Sequence, residues 1–270
     1  MLSENQIEFT KENIDAYLKE VAKEYRKEIG KNMSAELILV GGAAVLVNYG
    51  FRDMTTDIDA VIQAASAMKD IINRVGGRFD LPNGWLNEDF TKTASYSPKL
   101  NEFSQYYRTY SNVLTIRTVA AEYLIAMKLR SGRQYKSDLS DVLGVLAEHE
   151  KRGEPLTMGK IRKAVSDLYG EWEALPEASR NFITNIMENG NFEELYAQTV
   201  KGEKEAKELL LHFEQDYPGV TKEENVDKIA GTLQRKASKA SILAQLREIK
   251  AAQEQSERAD ELKKRNEPEQ

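Results

Sequence analysis

No cysteine occurs anywhere in the 270 residues. That absence excludes a disulfide framework, a thiolate metal site and a cysteine nucleophile together, and it fits a reducing compartment. Histidine is nearly as scarce: His149 and His212 are the two in the chain. They lie far apart in sequence, in charged helical contexts, which argues against a histidine-based catalytic pair or zinc site. No apolar run reaches bilayer-spanning length, and the mixed-charge opening segment has neither a signal peptide's apolar core nor an anchor's. A cytoplasmic protein without membrane contact is the expectation. Positive charge is also in deficit, with 38 Lys and Arg against 44 Asp and Glu and a net charge of -6. There is no global basic field to draw in nucleic acid. A local one exists: Arg117, Lys128, Arg130, Arg133 and Lys136 stand against the single acid Glu122 between residues 117 and 136.

What is present is ample material for a core, since 41% of the residues are hydrophobic. Apolar residues at Ile14, Tyr17, Leu18, Val21, Ala22 and Tyr25 follow helical spacing and predict an amphipathic first helix. Next comes a short buried strand, Leu37 to Val40, broken at Gly41-Gly42 and followed by a helix that stops near Gly50. DIDAVIQ reads as a second strand, and Ala65 to Val75 as a helix ending toward Gly76-Gly77. This alternation of strand and helix favours a mixed α/β sheet. The punctuated stretch from Phe79 to Tyr110 has no clear pairing. VLTIRTV, 113 to 119, is a strand, and AAEYLIAMKLRSG a helix ending at Gly132. Ser137 is placed to cap the helix DLSDVLGVLAEHE. Helices broken at Gly170, Pro176, Gly190 and Pro218 follow, and 225 to 265 reads as a solvated or partner-dependent charged helix. The organisation is a domain at 1–155, a helical region at 156–220 and a charged helix or tail at 221–270.

Two short signals carry chemistry. Alternate strand residues share a face, so Asp57 and Asp59 project together while Ile58 turns toward the packed side. Carboxylates held that close repel unless a cation lies between them, and Mg²⁺ accepts one or two carboxylates while leaving other positions to water and phosphate oxygens. The same D-I-D also suits an exposed strand edge or turn. Upstream, Gly41-Gly42 follows a hydrophobic strand and opens a helix, so backbone N–H groups can approach an anion without a Cβ in the way. By itself a glycine pair at a strand end is more often just a tight turn. Together, about one helix apart, the two signals are rarer than either alone.

The segment LILVGGAAVLVNYGFRDMTTDIDAVI resembles the signature of the DNA polymerase beta-like nucleotidyltransferase superfamily: a hydrophobic strand, a small-residue pair, a helix and Asp-x-Asp in that order. A second segment, MKLRSGRQYKSDLSD, places Lys128, Arg133, Asp138 and Asp141 like the K, R and D-x-x-D positions of AbiEii-type proteins and their bacterial relatives. The resemblance covers about residues 35 to 170. It implies a nucleotidyltransferase-like mixed sheet flanked by helices and followed by an all-helical region. It also implies NTP binding with Mg²⁺ or Mn²⁺ and, as in toxin members of the group, nucleotide transfer to an RNA end such as that of tRNA, with an antitoxin or regulatory protein as partner. Carried over, Asp57 and Asp59 hold the metal and Lys128 meets the nucleotide as part of the catalytic set, while Gly41, Gly42, Thr56 and Arg133 contribute to nucleotide binding. The other reading of Lys128 and Arg133 is that they pair with Asp138, Asp141 or Glu122.

Two departures bear on activity. VLTIRTV contains no acid, so the third carboxylate common in the superfamily is not visible, and Asp138 or Asp141 stands as a substitute. Gly42 replaces a frequent serine and removes a hydroxyl. A catalytically weak or inactive binding or regulatory protein is therefore the alternative to an enzyme acting on RNA or protein. FSQYYRTY suits base stacking or core filling. Trp85 reads as a packing anchor.

Overall fold

Helix α1, Lys11–Ile29, begins where Thr10 and Asn13 cap it reciprocally, each side chain bonded to the other's backbone N–H. Its buried residues Ile14, Leu18, Val21, Ala22 and Tyr25 form one stripe, as the spacing predicts. The computed structural model describes residues 7–133, 137–222, 225–226 and 228–236. Strands β1, Ala35–Leu39, β2, Ile58–Gln63, β3, Leu86–Asn87, β4, Ser104–Tyr110, and β5, Leu114–Val119, form a five-stranded sheet in the order β3-β2-β1-β5-β4. It is mixed: β1 pairs antiparallel with β2 and parallel with β5, β2 parallel with β3, and β4 antiparallel with β5.

Helix α2, Gly41–Asn48, joins β1 to β2, and α3, Met68–Arg78, follows β2. Contrary to the sequence expectation, α3 does not end at the glycine pair but runs through Gly76 and Gly77. The reason is tertiary. The Trp85 indole occupies the place of a Gly76 side chain, with Nε1 2.8 Å from an ideal Cβ position, and donates to the Ile72 carbonyl at 3.1 Å. Trp85 is buried, as a packing anchor should be. The Phe79 to Tyr110 stretch resolves into β3, two 3₁₀ turns at Asp89–Lys92 and Pro98–Asn101, and the edge strand β4. The expectation that FSQYYRTY fills the core holds in part: Phe103 and Tyr107 are half-buried against it. Ser104 and Tyr110 are buried and Tyr106 is 65% exposed, while the hydroxyls of Tyr107 and Tyr110 donate to Asp15 and Arg108 pairs with it.

Helix α4, Ala121–Ser131, stops at Gly132, which takes the left-handed conformation. Helix α5, Asp138–Lys151, does start after Ser137, but the serine side chain makes no capping hydrogen bond. Helices α6, Met158–Tyr169, α7, Glu177–Asn189, and α8, Phe192–Asp216, break at Gly170, Pro176, Gly190 and just before Pro218, as read from the sequence. The chain up to Val200 forms one compact unit and the chain from Lys201 a second, in which Ala206, Leu210, Val226 and Ala230 are buried. The charged stretch beyond 236 lies outside the described residues. Among the described residues, no helix is long and apolar enough to cross a membrane.

Candidate functional site

Antiparallel strands in succession place the end of the first beside the start of the second. Here Leu39 pairs with Ala60 and the Val40 N–H donates to the Asp59 carbonyl at 3.0 Å, so the glycine turn after β1 meets the Asp57-Ile58-Asp59 segment that opens β2. The alternation read from the sequence is present: Asp57 is exposed, Ile58 fully buried and Asp59 half-buried. Thr56, just upstream, is exposed. Gly41 has φ +57°, and its Cα faces the Asp59 carboxylate, Oδ2 lying 3.6 Å from an ideal Cβ position.

Gly42 also has a packing use that the sequence did not show. An ideal Cβ there would stand 2.6 Å from Thr55 Oγ1 and 3.0 Å from Arg52 Nη2. The missing side chain thus makes room for two protein groups and not for an incoming anion alone. Both atoms belong to the α2–β2 connection, whose path depends on that space. Gly42→Ala should force Thr55, buried in the core, and Arg52 apart at a cost of about 1–3 kcal/mol. Urea denaturation measures this, and a variant within 0.5 kcal/mol of wild type, roughly the scatter of surface substitutions, would show that the close approach relaxes freely.

The second cluster grows from α4, which is buried along nearly its whole length and carries Lys128 within that buried stretch. A buried ammonium requires partners. They come from the first turn of α5, where Asp138 and Asp141, three residues apart, share a face and lie favourably at the helix N-terminus. Lys128 Nζ contacts Asp138 Oδ1 at 2.8 Å and Asp141 Oδ2 at 2.7 Å. Arg133, just past the Gly132 turn, donates from Nε to Asp138 Oδ2 at 2.9 Å. Arg52 Nη1 donates to both oxygens of Asp141, at 2.8 and 2.6 Å. Every oxygen of the two carboxylates therefore accepts from a cation. Lys128 is 8% exposed, Asp138 1% and Asp141 2%.

Desolvation favours the neutral form of each buried group, yet the paired charges outweigh it. Lys128 is held above its usual lysine value, and Asp138, facing Lys128 and Arg133, well below the usual carboxylate range. The signs follow from linkage. The depressed Asp138 contributes stability that is complete above the unfolded carboxylate value of about 4 and is lost as pH falls through the folded value. The raised Lys128 contributes stability that is complete below the unfolded lysine value of about 10.4 and is lost as pH rises through the folded one. Denaturation midpoints should therefore fall on acidification below about pH 4, and Asp138→Asn should flatten part of that limb. An unchanged slope in the variant would remove Asp138 from the account.

The predicted residues thus gather in two sets. Gly41, Gly42, Asp57 and Asp59 lie where the end of β1 adjoins the start of β2, and Lys128, Arg133, Asp138 and Asp141 in the α4–α5 network, with Arg52 reaching both. Sequence reasoning missed Arg52, whose partner lies 89 residues away. Asp138 and Asp141 are brought to Lys128, and among the described residues no group of three or more Asp, Glu or His side chains is arranged to hold a metal ion. Arg130 points elsewhere, its Nε to the Ala94 carbonyl and its guanidinium over the Tyr169 ring.

With this geometry in hand, comparison with known proteins adds one match. The model of a family described as nucleotidyltransferase of unknown function (DUF6036) matches residues 16–148, from α1 through most of α5. Neither the curated proteins nor the solved structures yielded a match.

Proposed function

From the premise that residues 16–148 form a domain of the nucleotidyltransferase superfamily, we propose that the protein transfers a nucleotide from an NTP to an RNA or protein acceptor, with Mg²⁺ or Mn²⁺ held by Asp57 and Asp59. The observation that carries this reading is the meeting of the glycine turn with Asp59, 3.6 Å from the ideal Cβ of Gly41. The donor chemistry suits a hard divalent cation, because two carboxylate oxygen donors leave its remaining positions to water and triphosphate. Bound there, such a cation supplies Lewis-acid activation of the α-phosphate and charge neutralisation on the departing pyrophosphate. The chain's own contribution is to hold the two carboxylates at the start of an inner strand, anchored by the fully buried Ile58, and to offer the N–H groups at the start of α2 to phosphate oxygens.

A second reading, a nucleotide-binding protein with little or no turnover, is favoured by one specific observation. The two acids available as substitutes for a third metal ligand, Asp138 and Asp141, have all their oxygens engaged by Lys128, Arg133 and Arg52. Incubating the full chain with each labelled NTP, Mg²⁺ and total RNA separates the two. Label entering RNA or protein supports transfer, NTP binding without labelling supports the second reading, and neither binding nor labelling overturns both. The toxin role implied by the likeness to AbiEii-type proteins is the narrower proposal. It requires growth arrest on expression that Asp57→Asn relieves.

A further inference from the structure

Arg52 is held on two of its three nitrogens. Nε donates to the Met54 carbonyl at 2.9 Å, and Nη1 to both Asp141 oxygens. The third, Nη2, has no hydrogen-bond partner among the described residues, and it stands 3.0 Å from the ideal Cβ of Gly42. The side chain is 20% exposed, so this free edge is neither sealed in the core nor loose on the surface. A guanidinium is a rigid planar fork whose charge persists at any physiological pH. Fixing two of its nitrogens fixes the direction of the third. The direction matters because Gly42 adjoins Gly41, which faces the Asp59 carboxylate. Arg52 and Asp59 therefore approach the same glycine pair, one bringing positive charge and the other negative.

We infer that Arg52 is a binding residue of this site, its Nη2 edge contacting a phosphoryl oxygen of the triphosphate while Asp141 and the Met54 carbonyl hold the guanidinium in place. The assignment rests on the transfer reading above and deepens it. It explains why a buried acid on α5 is spent on an arginine from the α2–β2 connection: Asp141 keeps the fork aimed at the glycine turn. It also gives Asp141 a use that does not require it to leave its cation partners and bind metal. Lysine has enough donors but not the geometry: its single nitrogen on a flexible stem does not reproduce a planar fork that faces Asp141 from one terminal nitrogen and the glycine turn from the other.

Arg52→Lys tests the inference, since lysine keeps the charge that Asp141 needs and loses the second terminal nitrogen. Inorganic tripolyphosphate, titrated calorimetrically into the full chain with Mg²⁺, is the probe, and NTP transfer is followed alongside. The expected result is a melting temperature close to wild type with tripolyphosphate affinity weakened at least tenfold, the loss appearing in KM for the NTP more than in kcat. A merely structural tether would lower the melting temperature and leave affinity and KM alone, and that result overturns the assignment. Should Arg52→Lys fail to fold, phenylglyoxal labelling of the wild-type protein decides: protection of Arg52 by tripolyphosphate supports the contact, and unchanged labelling overturns it. Wild-type protein that binds neither tripolyphosphate nor any NTP removes the transfer reading and this assignment with it, whereas normal wild-type binding with an indifferent Arg52→Lys removes this assignment alone.

Discussion

Lys128→Ala should destabilise the protein by about 3–5 kcal/mol, because it takes the buried cation from between Asp138 and Asp141, empties the space of its stem and leaves each acid to one partly exposed arginine. A domain's whole stability is about 5–15 kcal/mol, so the loss approaches unfolding. The size of the effect comes from burial on both sides of the contact, not from the ion pair as such. Exposed pairs in the same chain, such as Lys92 with Asp89, are screened by water and contribute little. Arg130→Ala is the matched control. It removes the same charge from the same helix, but its side chain faces Ala94 and Tyr169 and not α5. A double-mutant cycle sharpens the test: Asp138→Asn added to Lys128→Met should recover part of the stability, giving a coupling of about 1–3 kcal/mol, since the buried carboxylate that lost its lysine in the first change is removed by the second. Denaturant unfolding monitored by circular dichroism gives each value. If Lys128→Ala unfolds no more readily than Arg130→Ala, the network contributes no stability and the lysine is available for another role. The same pair of variants separates the two readings of Lys128. A lysine that touches nucleotide loses NTP affinity beyond what the stability loss explains, whereas one that only neutralises Asp138 and Asp141 leaves the affinity of the folded fraction intact.

That ambiguity shows where sequence stops being informative. Periodicity and breakers were sufficient for α1, β1, α2, β5 and α4, because these are local signals: an apolar stripe, a strand-length apolar run, a glycine able to take positive φ at Gly132. The Asp57 and Asp59 alternation was legible for the same reason, being a property of three consecutive residues. What failed depended on partners distant in sequence. Gly76-Gly77 carries the ordinary signal for a helix end, yet the indole of Trp85 fills the space beside Gly76 and lets α3 continue to Arg78. Tyr106 and its neighbours look like core, but β4 lies at the sheet edge, a placement set by pairing order and not by composition. Arg52 in FRDMTTDID has nothing to distinguish it from a surface charge until Asp141 is folded against it. Lys128 and Asp138 show the intermediate case. Their motif spacing was visible, but whether they serve each other or a ligand is decided by burial, which the sequence did not specify.

Replacing Asp57 or Asp59 with Asn should lower nucleotide transfer on the order of a thousandfold or more while leaving the fold intact, since metal-assisted stabilisation of a phosphoryl transition state is worth several kcal/mol. The folded state should be unharmed because neither carboxylate is buried: Asp57 is exposed and Asp59 half-buried, while Ile58 between them supplies the core contact. A small gain in stability without metal is expected, because two like charges held near one another repel and each substitution removes that repulsion. Binding to the native state alone raises stability by RT ln(1 + [L]/Kd), so Mg²⁺ or Mn²⁺ at about a hundred times its Kd should stabilise the wild type by about 2.7 kcal/mol. Thermal melts of wild type, Asp57→Asn and Asp59→Asn across a metal titration, run beside the transfer assay, therefore give two independent readouts. Loss of the metal-dependent shift together with loss of transfer assigns both carboxylates to the cation. A metal shift of equal size in all three proteins would put the cation elsewhere. Loss of the shift in only one variant would reduce the site to a single protein ligand, with Gly41 beside Asp59 favouring Asp59 as the one retained.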